Sequence, residues 1–348
     1  MYHLFCHDGQ ASMMLHVNPI ISYAELELPL PFSRELWEAK SAGEWRDIYI
    51  STGFQTSERL PSLADLMHDM SQLTTYHGRI DSQLAAFVLL HGVSALVHEY
   101  HRLKFVSQGN SSHWHALVIS SRQQELGDAL QHFRMACSGW HTRPEIELLL
   151  EVISMLLHMS LEELQLFAGK EDKKEARRVY DSALDWINSI DSRRAVWHAG
   201  QVIRAASAMP RGSLTGFFAI GVYYASLALW SYSVVAKAKD AKVAAGRLTT
   251  HPQMRGDWPF VFLDAGETTE VHKFISLGCG RPALQGRHGP ILVVDPCLTM
   301  QTTEELLRAE IPRDALPSLV VSICQLLCDL GQAARSSAPE PGLRASLV

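Results

Sequence analysis

Apolar residues recur at three- and four-residue intervals along most of this chain, which is the spacing that places them on one face of an α-helix. Serines placed to cap helices precede two of these runs, at Ser33 and Ser62. Pro144 stands where another helix begins. The pattern predicts helices over residues 33–42, 62–70, 80–105, 123–137, 144–169, 171–190, 192–209, 213–236, 302–309 and 317–334.

The remaining segments do not have this period. Glycine and proline are frequent in residues 247–300, where two short strand-like runs, 260–263 and 291–294, could pair as a small ribbon. The first twenty residues have no strong pattern, and residues 113–115 suggest a loop or a strand edge. We therefore predict an all-α fold, a large irregular helical bundle with a small loop-and-ribbon insertion near 247–300.

The helix predicted over 213–236 contains no charged residue and is long enough to cross a bilayer. Its serine, threonine and tyrosine residues lower its apolarity. A helix that is apolar all round can equally lie at the centre of a helical bundle. We expect the buried helix, with Leu229 and Trp230 in the core, and keep a membrane tether through 213–236 as an alternative.

The overall composition indicates a folded protein. Of 348 residues, 47% are hydrophobic and 20% are charged, which disfavours a disordered activator tail. The formal net charge of −6 disfavours direct DNA binding, since neutralising phosphates requires concentrated Lys and Arg. The six cysteines are scattered and no secretory signal is visible, so we expect a reducing intracellular compartment.

Candidate chemistry is sparse. His98 and His101 are spaced by three, whereas the zincin motif requires two histidines four apart. Cys297 follows Asp295 and Pro296 and could be a nucleophile, although no partner base can be chosen from the sequence. These residues define the alternative of an enzyme of unknown class, and a structural role is expected for each. We assign no catalytic, cofactor-binding or metal-binding residue.

Cys324 and Cys328 lie four apart on a predicted helix, but no second ligand pair follows at zinc-finger distance. We interpret them as small buried hydrophobes. The closely spaced cysteine and histidine ligands of a zinc finger or zinc cluster are likewise not found along the sequence. We therefore expect this chain to bind no structural zinc.

Several local motifs occur in a fixed order from residue 22 to residue 335. They are Leu28-Pro29-Leu30-Pro31, Leu36-Trp37-Glu38-Ala39, Ser41-Ala42-Gly43-Glu44-Trp45, residues 196–202, residues 223–232, Val261-Phe262-Leu263-Asp264, Phe274-Ile275, Gly278-Cys279-Gly280 and residues 319–334. Together they resemble the fungal-specific transcription factor regulatory domain, also called the middle homology region, which is similar to the xylanolytic activator regulatory domain. Their tryptophans and leucines are expected to be core anchors.

The resemblance implies a function that the composition only permits. It implies the regulatory and interaction region of a fungal zinc-finger transcription factor that controls transcription by RNA polymerase II. It also implies a nuclear location, although no localisation signal is visible, and partners that are co-regulator proteins or a second copy of the chain. DNA contact and zinc would belong to a finger module not present in this chain, and no enzyme activity or membrane contact is expected.

The resemblance also sets the expected domain organisation. Residues 1–21 form an unassigned N-terminal segment, and residues 22–335 form one regulatory domain. Residues 336–348, with Pro339, Pro341 and Gly342, are expected to be a disordered tail.

Overall fold

The computed structural model describes residues 1–53, 59–107, 113–244, 258–287, 289–309 and 316–336. These residues contain sixteen α-helices and one three-stranded sheet, so the predicted all-α class with a small insertion is confirmed. The chain forms two compact units. Unit 1 is Met1–Leu157, and unit 2 begins at His158. The predicted single domain over 22–335 stays a prediction, and the tail 337–348 lies outside the described residues.

Unit 1 contains eight of the described helices, and a short 3-10 turn at Tyr23–Glu25 joins the first two. The helices are α1 (Tyr2–Leu15), α2 (Arg34–Glu38), α3 (Ala42–Ser51), α4 (Leu63–His68), α5 (Gln72–Thr75), α6 (Ser82–Ser107), α7 (His113–Cys137) and α8 (Pro144–Leu157).

The long helix α6 forms the centre of unit 1 and packs against α1, α4, α7 and α8. Its buried apolar residues include Val88, Leu89 and Val93. Close packing with α1 depends on Gly9, because a Cβ there would lie 2.7 Å from Cδ2 of His91. Burying the middle of α6 among these helices supplies the apolar core that holds this unit together.

Unit 2 contains the other eight described helices and the sheet. Its elements are α9 (Leu161–Phe167), α10 (Lys173–Arg178), α11 (Tyr180–Asn188), α12 (Ile190–Ser207), α13 (Gly216–Ala244), β1 (Phe260–Phe262), α14 (Thr269–Leu277), β2 (Arg281–Gly286), β3 (Gly289–Leu292), α15 (Pro296–Arg308) and α16 (Ser318–Ser336).

The uncharged helix α13 lies at the centre of unit 2, against α9, α11, α12, α15 and α16. Leu229 is fully buried and Trp230 is only 7% exposed, which confirms the predicted burial of both. The indole N–H of Trp230 donates to the carbonyl oxygen of Leu330 in α16 at 2.9 Å. Because this bond satisfies the one polar group of the indole, Trp230 can be buried between the two helices without leaving an unpaired N–H.

The sheet differs from the predicted ribbon. The two predicted strands do not pair with each other, since β2 lies between them, parallel to β1 and antiparallel to β3. The strand β2 contains Pro282 and Gly286. Both residue types are rare in strands, so the sequence pattern did not predict this strand. The carboxylate of Asp264, just after β1, accepts a hydrogen bond from the backbone N–H of Gln285 at 2.9 Å.

Five further predictions need correction. Residues 2–15 are helical, residues 113–115 begin α7, and α15 begins at Pro296 rather than at residue 302. Asp295 caps α15, and Pro296 at its first turn needs no hydrogen-bond donor. The helix predicted over 144–169 is two helices, because Ser160 caps α9 after α8 has ended at Leu157. Similarly, residues 171–190 divide between α10 and α11.

Candidate functional site

A group of exposed and half-buried aromatic and aliphatic side chains lies on α2, on α3 and just before α2 in unit 1. We call this group, Phe32, Trp37, Trp45, Tyr49 and Ile50, the aromatic surface. Trp37 is 73% exposed and Trp45 is 43% exposed, and α3 buries none of its residues. The expectation that the tryptophans of these motifs are core anchors is therefore wrong for Trp37 and Trp45.

Three rings of the aromatic surface, those of Phe32, Trp45 and Tyr49, are ordered by contacts with one another. Trp45 and Tyr49 are one helical turn apart, and their rings stack with centroids 5.0 Å apart and an interplanar angle of 11°. Phe32 meets Tyr49 edge-on at 6.4 Å. Ring pairs of this kind fix side-chain rotamers, so a binding partner would meet a surface that is already arranged.

The motif sequence holds these rings at the surface. Ser41 caps α3 by accepting a hydrogen bond from the backbone N–H of Glu44, whose carboxylate accepts one from the backbone N–H of Lys40. Leu30 and Leu36, from the same motifs, are buried and anchor the segment in the core. Across residues 28–45, two buried leucines thus fix the segment, while the two tryptophans are exposed.

Exposed aromatic clusters are unusual on a folded surface. Burying apolar side chains drives folding, and contiguous exposed apolar patches commonly mark sites of protein contact. Tryptophan and tyrosine are also the residues most enriched among those that dominate binding energy at interfaces. The aromatic surface is therefore suited to binding another protein.

His98 and His101, the two histidines of the alternative enzyme site, contact different partners. The Nε2 atom of His98 lies 3.2 Å from Oδ1 of Asn18, while Nε2 of His101 lies 2.7 Å from the carbonyl oxygen of Leu156. Burial lowers the pKa of His98, and Arg102 lowers it further. Among the described residues, no three His, Cys, Asp or Glu side chains are grouped so that they could hold a metal ion.

The candidate nucleophile Cys297 lies in the first turn of α15. Its backbone N–H donates to Oδ1 of the capping Asp295 at 3.1 Å. A Cβ at Gly331 of α16 would lie 3.8 Å from its Sγ, so the thiol faces a helix–helix contact. The Asp295-Pro296-Cys297 sequence is accounted for by the start of a helix.

The cysteine pair of α16 faces α15. Cys324 is fully buried, as predicted for a small hydrophobe, whereas the thiol of Cys328 donates to Oε2 of Glu304 at 3.0 Å. This hydrogen bond is the largest cause that raises the pKa of Cys328 to about 11, and burial adds to it. Because the thiolate is the metal-binding and reactive form, both properties are suppressed at neutral pH.

The candidate membrane span is a core helix by its burial. Within the described residues one segment, Gly216–Ala238, is long and apolar enough to cross a bilayer, and 72% of its most apolar window is buried in the protein. A helix that faced lipid would expose its apolar side chains instead. The structure therefore favours the buried helix over the membrane tether.

The later motifs meet each other inside unit 2. Gly200 and Gln201 of α12 contact the Val261-Phe262-Leu263-Asp264 segment, where the Gln201 amide donates to the carbonyl oxygens of Leu263 and Ala265 at 2.6 and 2.8 Å. The Trp230–Leu330 hydrogen bond joins two further motifs. The later motifs therefore form contacts inside unit 2, whereas the motifs at residues 36–45 contribute to the aromatic surface.

A helical protein with an ordered aromatic surface has the features of a protein-interaction module. Residues 1–199 match the fungal specific transcription factor domain, and the chain belongs to this family. No solved structure is significantly similar to the chain.

Two curated relatives of the chain are named transcription factors. The chain is 25% identical over 317 residues to transcription factor 1 of Elsinoe fawcettii, covering 84% of this chain and 32% of that protein. It is 28% identical over 286 residues to a transcription factor of Zymoseptoria tritici, covering 72% of this chain and 28% of that protein. The chain thus spans about a third of the length of the curated relatives it matches.

Proposed function

We propose that this chain regulates transcription by binding a co-regulator protein through the aromatic surface. The exposure of Trp37 on α2 and of Trp45 on the capped helix α3 is the observation that carries this proposal. Two indole rings could bury a large apolar area in a partner groove, while the charged residues around them would form a solvated rim. In this role the chain acts as a binding module and not as an enzyme.

In this proposal, DNA is bound by a part of the protein outside this chain. The net charge of −6 gives this chain little attraction to phosphates. A zinc module outside the chain would read the promoter, and the whole protein would work in the nucleus. The names of the relatives, both transcription factors, support this arrangement.

A tethered reporter assay tests the proposal. The chain is fused to an unrelated DNA-binding domain in fungal cells, and reporter output is compared for the wild type, a Trp37→Ala/Trp45→Ala variant, and the tether alone. Truncating a dominant interface aromatic costs about 2 kcal/mol or more, roughly 30-fold in Kd. The tryptophan variant should therefore return reporter output to the level of the tether alone.

Two controls separate binding from folding. A Leu15→Ala/Leu277→Ala variant removes two other exposed apolar side chains and should keep wild-type output. Both variants should unfold within a few degrees of the wild type, since exposed substitutions usually change stability by less than about 0.5 kcal/mol. Unchanged output from the tryptophan variant would exclude the aromatic surface as the site of co-regulator binding. If the wild type behaved like the tether alone, the regulatory role itself would be wrong.

A further inference from the structure

The last two turns of α6 expose apolar side chains to solvent. Tyr100 is the last buried residue of this helix, and none of residues 101–107 is buried. Within that stretch Leu103 is 46% exposed, Phe105 is 74% exposed and Val106 is 77% exposed. This exposure does not serve folding, because it is the burial of apolar area that stabilises a folded chain.

An arginine shares the exposed face with these apolar side chains. Arg102 precedes Phe105 by three residues and Val106 by four, and residues at these spacings are neighbours on one face of a helix. Lys104, between Leu103 and Phe105 in the sequence, adds a second positive charge. We call Arg102, Leu103, Lys104, Phe105 and Val106 the α6 end.

The positive charges of the α6 end are not balanced by carboxylates. Nη1 of Arg102 donates to the uncharged Oδ1 of Asn18, and Nζ of Lys104 lies 5.9 Å from the ring centre of Tyr100. Within the described part of the chain, neither cation forms an ion pair. The chain as a whole has a net charge of −6, so the α6 end is a positive site on an acidic protein. Its electrostatic complement is a ligand that combines carboxylates with apolar groups.

Other ligands fit the α6 end less well. Lipid surfaces are recognised by clusters of about four to eight Lys and Arg, and nucleic acids by many phosphate contacts. Residues 101–125 contain only three Lys and Arg residues, and one of them, Arg122 of α7, is paired with Glu125 at 2.9 Å. A symmetric contact between two copies of the chain at this surface would bring their positive charges together.

We propose that the α6 end binds a segment of a partner protein in which acidic and apolar residues alternate. Apolar side chains of that segment cover Phe105 and Val106. A carboxylate of the segment accepts hydrogen bonds from the Arg102 guanidinium, which has five N–H donors. The α6 end shares no residue with the aromatic surface, so this contact is additional to the proposed co-regulator contact and does not rest on it.

Peptide binding to the purified intact chain tests the proposal. The probe is a short fluorescein-labelled peptide in which aspartate alternates with leucine and phenylalanine, and its anisotropy is followed as the chain is added. One comparison peptide has lysine in place of each aspartate, and another has alanine in place of each leucine and phenylalanine. Only the probe should bind saturably, and its affinity should fall as salt is added, because salt screens the contacts between carboxylates and cations.

Two double variants assign the binding to the α6 end. Phe105→Ser/Val106→Ser and Arg102→Gln/Lys104→Gln should each raise the Kd of the probe by at least about tenfold. The glutamine variant should also lose the salt dependence, whereas the serine variant should keep it. Melting temperatures within a few degrees of the wild type show that each variant is folded. If the serine variant does not fold, the glutamine variant and its salt dependence decide the question.

Two controls should bind the probe like the wild type. Lys273→Gln/Leu277→Ser changes an exposed lysine and an exposed leucine one turn apart on α14, so it matches the chemistry of the α6 end at another place. Trp37→Ala/Trp45→Ala changes the aromatic surface alone. Because this variant should lose reporter output and keep probe binding, a failure of the present proposal is distinguishable from a failure of the proposed function.

Several results would overturn the proposal. They are equal binding of the probe and either comparison peptide, or equal weakening by the Lys273→Gln/Leu277→Ser control. Sedimentation with phosphatidylserine–phosphatidylcholine vesicles in the absence of probe binding would assign the α6 end to a lipid surface instead. A dimer of the wild type that Phe105→Ser/Val106→Ser abolishes would assign it to a second copy of the chain.

Discussion

Gly200 fixes the distance between α12 and the segment that follows β1. A Cβ at this position would lie 2.4 Å from both Cβ and the carbonyl oxygen of Leu263, closer than atoms can approach. The neighbouring Gln201 donates to that same carbonyl oxygen at 2.6 Å. The glycine therefore permits the close approach on which the glutamine bonds depend.

Replacing Gly200 by alanine should destabilise unit 2 by about 1–3 kcal/mol or more, since backbone must move to admit the methyl group. Gly331→Ala in α16 is the control, because its Cβ would meet Met300 at an ordinary 3.6 Å. There, alanine should be neutral or stabilise the helix by up to about 1 kcal/mol. Urea unfolding measures both, and equal effects would show that the Gly200 contact is not tight.

Trp230 should be among the most costly residues to truncate. Trp230→Ala should destabilise the protein by about 3–5 kcal/mol through lost packing, and it also removes the indole hydrogen bond to the carbonyl oxygen of Leu330. Trp37→Ala, which removes an exposed indole, should cost less than about 0.5 kcal/mol. A loss below about 1 kcal/mol for Trp230→Ala in denaturant unfolding would contradict its place in the core.

The position of a tryptophan relative to the core could not be predicted from residue type. Trp230 was correctly expected to be buried because it lies in an uncharged helix. Trp37 and Trp45 lie among charged residues in short helices, where apolar periodicity is too brief to define an inner face. The aromatic surface was therefore not foreseen, although the motifs that contain it were recognised.

At the scale of elements, long helices with aliphatic faces were predictable and irregular ones were not. The buried face of α1 is made of Tyr2, Phe5, Cys6, Gly9 and Ser12, which follow helical spacing. Because glycine and serine complete that face, hydrophobicity alone does not show it. Similarly, β2 is fixed by its pairing with β1 and β3 rather than by strand-forming residues.

Helix capping gives a test at this scale. Ser62 accepts a hydrogen bond from the backbone N–H of Asp65, whose carboxylate accepts one from the backbone N–H of Ser62. Ser33, also expected to cap a helix, makes no capping bond, and its buried hydroxyl has no hydrogen-bond partner among the described residues. Ser62→Ala should therefore cost about 1 kcal/mol, while Ser33→Ala should be neutral or stabilising. Equal losses in thermal unfolding would contradict this account of the two caps.

For the whole molecule, we predict that folding does not require zinc. Two large apolar cores can stabilise a chain of this length without a metal, and the Cys328 thiol is already bonded to Glu304. Chelator treatment should leave helicity and melting temperature unchanged. Near-stoichiometric zinc in protein purified without added metal, together with unfolding on chelation, would show that this prediction is wrong.

Family membership was recognisable from the whole sequence because the motifs occur in order along the chain. Their roles required the structure, which separates the contacts around Gly200 and Trp230 from the exposed rings of Trp37 and Trp45. The fold contacts and the proposed binding surface use the same residue types. Only their burial distinguishes them.

The central claim is that this chain acts in transcription through protein contacts and does not itself read DNA. The most direct measurement is selection of random DNA duplexes by the purified chain alone, at physiological salt. The account predicts no enriched sequence and only non-specific binding, with a Kd of about 10⁻⁴ to 10⁻⁶ M. Reproducible enrichment of one sequence motif, with binding orders of magnitude tighter, would contradict it.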